Sequence, residues 1–123
     1  MSSEETLRAA LDALIAAAEH GYTAQAGGIN ACQLQKDGQV TGGVKYAEGQ
    51  LVTLTMLRRR LAGHDGGSTR SAFSAAIADD LAAWRAALQA QQGRTPLSVP
   101  WVAYRQGGVD ALEQVLALAM GTP

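Results

Sequence analysis

The 123-residue sequence predicts a mainly helical protein, a small bundle of four to five helices in a single helical domain over residues 1–123. Apolar residues make up 47% of the chain, and most of them are Ala and Leu, which favour helices. They recur at helical spacing in four stretches that glycine-rich segments separate. Short connections between such helices favour antiparallel neighbours.

The first predicted helix has the clearest boundaries. Ser2 and Glu5 match a capping box, in which each side chain satisfies a free backbone N–H group of the first turn. Apolar residues then follow at helical spacing over 7–18. The sequence predicts that this helix ends at Gly21, with His20 in its last turn.

The glycine-rich region 22–43 leaves two alternatives open. Asp37-Gly38 lies between two short segments that contain apolar residues, which is a hairpin signal. The alternative is a short helix over 29–36 that ends at the same Asp-Gly pair. The sequence slightly favours a short β-hairpin between the first two helices. A connection of this length is uncommon without structure, so we expect it to be ordered or functional.

The second predicted helix covers 44–61. Its leucines share one broad arc of the helical wheel. Val52 and Met56 fall on the opposite side of the helix. A helix that is apolar on two sides is usually central in a protein or lies at an interface. We therefore expect both flanks of this helix to be covered.

The third predicted helix starts near Ser68 or Thr69 and ends at Gly93. Its apolar residues over 73–88 are spaced three or four apart, which is typical of an amphipathic helix. Trp84 belongs to this stripe, and we predict that it lies in the core.

The next segment contains Pro96 and Pro100, and Ser98 between them is predicted to cap a short helical turn that carries Trp101 and Tyr104. The pair Gly107 and Gly108 is predicted to separate this turn from the last helix. That helix carries an apolar stripe over 109–119.

Three consecutive arginines, Arg58, Arg59 and Arg60, precede the end of the second predicted helix. Adjacent helical residues point about 100° apart, so the three side chains cannot form one compact patch. The favoured interpretation is structural, since cations in a last turn offset the negative end of the helix dipole. A nucleic-acid-associated regulator that uses Arg59, Arg60 and Arg70 is an alternative, but it requires further basic residues beside them.

Arg58 falls within the apolar arc of this helix. An unpaired buried charge is costly, so the guanidinium needs a carboxylate partner. We therefore predict a buried or half-buried ion pair. The candidate partners are Asp79, Asp80, Asp110 and Glu113.

The sequence predicts no catalytic residue, no metal ligand and no cofactor. His64-Asp65 is interpreted as part of an interhelix turn, and Cys32 as a small buried hydrophobe without a catalytic motif around it. The sequence leaves open whether His20, His64 or Cys32 has a function. The glycine-rich segments lack the residue order of a phosphate-binding loop. The sequence therefore favours a protein that is not an enzyme.

The net charge of −1 provides no global field that would attract nucleic acid or an anionic membrane. The first residues are acidic and polar, unlike a secretory signal. No apolar run approaches the roughly 18 residues that span a bilayer. We therefore expect a cytoplasmic protein without a membrane partner.

These features favour a non-enzymatic protein that acts through self-association, as a homodimer or another homo-oligomer, and through contacts with other proteins. The charged share of 17% is low against the usual quarter, which suggests that other helices cover much of the helical surface. An alternative is a small-molecule-binding protein or enzyme with a pocket near residues 21–48. The predicted interaction residues are Val52, Met56, Arg59, Arg60, Trp101 and Tyr104.

Overall fold

The computed structural model describes residues 3–26, 42–63 and 69–120, with the side chains of 5–24, 43–63 and 72–120. These residues form helices and contain no strand, which confirms the mainly helical fold class. The region 27–41, to which most of the predicted hairpin or short helix belongs, lies outside the described residues. The helices are α1 (Ser3–Ala26), α2 (Gly42–Ala62), α3 (Thr69–Gln92) and α4 (Val99–Ala119).

α2 and α4 form the central pair of the bundle. α2 packs along both α1 and α4, and α4 also packs along α3, whereas α1 and α3 approach each other only briefly. All four helices contribute to one core. Burial of each large apolar side chain contributes about 1.5–3 kcal/mol. The largest fully buried apolar side chains are Leu11, Val44, Leu54, Leu57, Phe73, Ile77, Leu112 and Val115.

The predicted end of the first helix at Gly21 is wrong. α1 continues through this glycine to Ala26. Glycine adopts helical and left-handed conformations about equally well, so a glycine near the end of a periodic stretch permits a helix end without requiring it. The turn that follows is helical, and the Thr23 hydroxyl donates a hydrogen bond to the Glu19 carbonyl at 3.0 Å. Ser2, the predicted cap at the other end, lies outside the described residues.

The predicted break at Gly107 and Gly108 is also wrong, since α4 is a single helix over Val99–Ala119. Pro100 occupies its first turn, where the missing N–H group would have no helical partner in any case. Both glycines are buried. Their contacts with neighbouring helices therefore outweigh the low helix propensity of glycine, which costs about 1 kcal/mol relative to alanine.

α2 and α3 lie where the leucine and alanine spacing predicts them. α2 contains the whole predicted range 44–61 and is one or two residues longer at each end. α3 begins at Thr69 and ends directly before Gly93. Both helices have a regular apolar stripe and no internal proline, so local sequence and tertiary packing favour the same boundaries.

Two glycines allow the backbones of α2 and α4 to come very close. A Cβ atom at Gly49 would overlap the carbonyl oxygen of Tyr104, and a Cβ atom at Gly107 would overlap that of Tyr46. The contact is reciprocal, because each glycine follows the tyrosine of its own helix by three residues. This close crossing fixes the position of α2 in the bundle.

Candidate functional site

The three adjacent arginines separate in the structure. The Arg58 guanidinium lies 3.4 Å from the Asp12 carboxylate of α1, and the Arg60 guanidinium lies 2.7 Å from the Asp80 carboxylate of α3. Arg59 is exposed and forms no salt bridge with any described side chain. The three side chains therefore do not form a single basic patch, in agreement with the helical geometry.

The prediction of a buried or half-buried ion pair for Arg58 is wrong. The Arg58 and Asp12 side chains are 48% and 57% exposed. Arg58 is placed at the edge of the apolar arc beside α1, and its long stem carries the guanidinium to solvent. An exposed pair of this kind contributes about 0–1 kcal/mol. Three of the predicted partners accept hydrogen bonds from other side chains: Asp80 from Arg60, Asp110 from Tyr46, and Glu113 from Arg85.

The outer face of α2, which we define as Glu48, Val52, Thr55, Met56 and Arg59, lies opposite the buried leucines of the same helix. Val52 is 45% exposed, although it is a large apolar residue. Thr55 and Met56 are half-buried and line a depression of about 430 Å³ with their neighbours on α2. The expectation that both flanks of α2 are covered is therefore not met by the described part of a single chain.

The Glu48 end of this face is tied to α4. The Lys45 ammonium lies 3.0 Å from Oε2 of Glu48 and 5.1 Å from the centre of the Trp101 ring. A cation over an aromatic ring is attracted by the negative face of the ring. Lys45 therefore connects the exposed aromatic surface of Trp101, which is 47% exposed, to the outer face of α2.

Tyr104 is more strongly engaged within the fold than Trp101. Its ring centre lies 5.4 Å from that of Trp84 and 5.4 Å from that of Trp101. The Arg105 guanidinium covers the Trp84 ring at 4.8 Å. The sequence predicts Trp84 in the core, and the structure places it partly buried against the edge of the core. Of the two aromatic residues predicted as contacts, Trp101 is the one whose side chain is exposed.

A second concave surface lies where the end of α1 meets the beginnings of α2 and α4. This groove has a volume of about 540 Å³. It overlaps the region near residues 21–48 where the sequence suggests a pocket, and α4 supplies the opposite wall. Its lining residues include Gly21, Gly43, Tyr46, Gln50, Val102 and Gln106.

Tyr46 and Gln106 of the groove share one carboxylate. The Tyr46 hydroxyl donates to Oδ2 of Asp110 at 2.5 Å, and Nε2 of Gln106 donates to Oδ1 at 2.7 Å. Burial, the hydrogen bond to Asp110 and the charge of that carboxylate raise the pKa of Tyr46 to about 12. The hydroxyl is therefore held in its protonated form as a hydrogen-bond donor to the Asp110 carboxylate. The groove offers neutral hydrogen-bonding groups.

Several residues considered from the sequence lie outside the described residues. These are Cys32, His64 and Asp65, together with the side chain of Arg70. His20 is exposed on α1. Among the residues that the structure describes, no three His, Cys, Asp or Glu side chains are grouped so that they could hold a metal ion. Within the same ranges, no helix has the length and apolar character that a membrane span needs.

Sequence reasoning missed the close crossing of α2 and α4 and the hydrogen bonds that accompany it. The available signal is a repeated spacing, with Tyr46 and Gly49 in α2 matching Tyr104 and Gly107 in α4. The glycine of each pair is what the close approach requires, because the contact is made with the backbone carbonyl of the facing tyrosine and not with its ring. The partner of Tyr46, Asp110, lies on the next turn of α4.

No known protein family, curated protein or solved structure matches this chain.

Proposed function

We propose that this protein is non-enzymatic and functions by self-association through the outer face of α2. The observation that carries this proposal is the 45% exposure of Val52 on the helix at the centre of the bundle, in line with Met56 and Arg59. Val52 is exposed and Met56 beside it is half-buried, and adjoining apolar side chains at a surface bordered by charged ones occur at protein–protein contact sites.

The charge of the chain supports contact with a second copy. With a net charge of −1, two copies repel each other only weakly. The proposed compartment is the cytoplasm, since the single cysteine leaves no internal disulfide to favour an oxidising compartment. Contacts with other proteins through the exposed ring of Trp101 belong to the same proposal.

The pairing of the arginines argues against a nucleic-acid partner. Binding to a phosphate backbone requires several cations on one surface. Arg58 and Arg60 point to different helices and are paired with Asp12 and Asp80. Only Arg59 of the three is left without a described ion-pair partner, and a single exposed arginine supplies little of this binding energy.

Light scattering coupled to size-exclusion chromatography tests the proposal. We expect a dimer at tens of micromolar protein, and Val52→Glu should convert it to a monomer because it places a charge in the contact. Ala83→Glu is the matched control, since it adds the same charge to an exposed position of α3 and should leave the dimer intact. A wild-type protein that stays monomeric at this concentration would refute self-association.

The groove supports a second candidate function, which is the binding of an uncharged, largely apolar small molecule. Its volume of about 540 Å³ falls within the range of roughly 300–1,000 Å³ that is usual for such sites. Gln50 and Gln106 provide neutral polar groups from two facing helices, and Val102 provides apolar surface.

A thermal-shift screen with uncharged apolar compounds tests the second candidate, because a ligand that binds only the folded state raises Tm. Ala103→Phe, at a half-buried lining position, should abolish the shift by filling the groove. Ala83→Phe on the exposed side of α3 should not. Shifts that persist in Ala103→Phe would show that the compounds bind elsewhere.

A further inference from the structure

We infer that two copies of this chain pair their α2 helices in antiparallel orientation about a two-fold axis, with Glu48 of each copy facing the partner's Arg59. This inference rests on the proposed function, because it assigns a geometry to the same face. Beyond self-association, the dimer has an antiparallel orientation, and Glu48 and Arg59 select that orientation.

The outer face of α2 carries opposite charges at its two ends. Glu48 and Arg59 lie at its two ends, and Val52, Thr55 and Met56 lie between them. The two charged residues are eleven positions apart, which corresponds to about 16 Å along the helix axis. The face therefore has a negative end, an apolar centre and a positive end.

A two-fold axis pairs residues reciprocally, so that a residue i of one copy contacts j of the other and j contacts i. If the axis passes midway between Glu48 and Arg59, Val52 faces the partner's Thr55. Met56 faces the partner's Leu51, a half-buried residue that borders the same depression. The apolar centre is then covered from both sides. Each Glu48 lies opposite the partner's Arg59, about 8 Å from the axis.

The same charges disfavour a parallel arrangement. There, Glu48 would face the partner's Glu48 and Arg59 would face the partner's Arg59. Like charges that face each other across a contact destabilise it, and this repulsion gives specificity against the wrong orientation. Of the two arrangements that a two-fold axis allows for this face, the charge pattern therefore favours the antiparallel one.

The two charged ends of the face differ in how far the chain itself engages them. Glu48 is 28% exposed and is paired with Lys45 at 3.0 Å, which leaves Oε1 for a partner, whereas Arg59 has no described ion pair. Arg59 is exposed and forms no salt bridge among the described side chains, whereas Arg58 and Arg60 are held by ion pairs within the chain. The salt bridge of Glu48 to Lys45 involves only Oε2. A contact of one helix face on each side is smaller than the roughly 800 Å² per partner of a standard interface, so we expect a micromolar dimer.

Sedimentation equilibrium of charge-reversal variants tests the inference. Arg59→Glu and Glu48→Arg should each raise the dimer Kd about 10-fold, because each reversal places like charges opposite each other at two symmetry-related positions. The double reversal should return Kd to within about 3-fold of the wild-type value. Arg94→Glu, the same charge change at an exposed position outside the helices, should leave Kd unchanged. Added salt should weaken the wild-type dimer and strengthen the Arg59→Glu dimer.

The outcomes distinguish this inference from the proposed function. A dimer that Val52→Glu disrupts, but that responds to neither charge reversal, refutes the antiparallel pairing and leaves self-association through α2 standing. Single reversals that weaken the dimer without rescue in the double variant, when all variants have the same Tm, also refute it. A wild-type monomer refutes both.

Discussion

Replacement of Gly49 by alanine tests the close crossing of α2 and α4 most directly. The added Cβ would overlap the Tyr104 carbonyl oxygen and lie 3.0 Å from the backbone N of Gly108. Because both neighbours are backbone atoms, the helices must move apart, and overpacking of this kind costs up to about 3 kcal/mol. Alanine also gains about 1 kcal/mol in helix propensity over glycine. The net expectation is a loss of about 2 kcal/mol.

Gly21 provides a control of opposite sign within the same chain. It also lies inside a helix, but a Cβ atom added there would meet nothing within 4 Å. Gly21→Ala should therefore stabilise the protein by about 1 kcal/mol through helix propensity. The two variants should differ by about 3 kcal/mol in their free energies of unfolding.

Urea denaturation followed by circular dichroism measures both variants, with wild-type m values as the check that compactness is unchanged. In thermal unfolding, a chain of this size should shift in Tm by about 4 °C per kcal/mol. If Gly49→Ala were as stable as Gly21→Ala, α2 and α4 would not be in backbone contact at this position. The position of the outer face of α2 would then lose its structural basis.

Two further predictions concern side chains that bridge helices. The pKa of Tyr46 is raised from 10.0 to about 12, chiefly by burial and then by Asp110. The unfolded chain therefore releases the Tyr46 proton at a lower pH than the folded chain does. The free energy of unfolding should consequently fall as pH rises from 10 towards 12. A pH series of urea titrations measures this fall, and Tyr46→Phe should remove that contribution to it. Arg60→Ala breaks a 2.7 Å ion pair whose side chains are 34% and 24% exposed, and we expect a loss of about 1 kcal/mol. Arg58→Ala should cost less than about 0.5 kcal/mol, and equal losses in a urea titration would contradict this ranking.

The helical class and the positions of α2 and α3 are predictable because regular apolar spacing and packing agree there. The helix ends that the sequence predicts at Gly21 and Gly107 are absent from the structure, since both glycines lie inside helices. A glycine weakens a helix locally, but contacts from other parts of the chain decide whether the helix ends there. The tight contact of Gly107 with Tyr46 is one that only the folded structure shows.

The candidate site was predictable in part for a similar reason. A helical wheel correctly places Val52 and Met56 opposite the leucines of α2, but it contains no information on what covers that face. The wheel also gives only the direction of each Cα–Cβ bond and not the position of the guanidinium at the end of the side chain. It therefore assigns the partly buried ion pair to Arg58, whereas the structure shows it at Arg60. The groove depends on where α4 lies relative to α2, which spacing along one helix does not determine.

The reciprocal contact of Gly49 and Gly107 with the tyrosine carbonyls has a consequence for recognition. Rotation of α2 about its own axis would replace Gly49 at the contact by a residue with a side chain, whose Cβ atom would overlap the backbone of α4, so the direction of its solvent-facing side is fixed before any encounter. A partner then meets a preorganised surface, and little conformational entropy is lost on docking. Affinity at this surface should accordingly depend on how well the side chains fit, since the backbone has no further ordering to undergo.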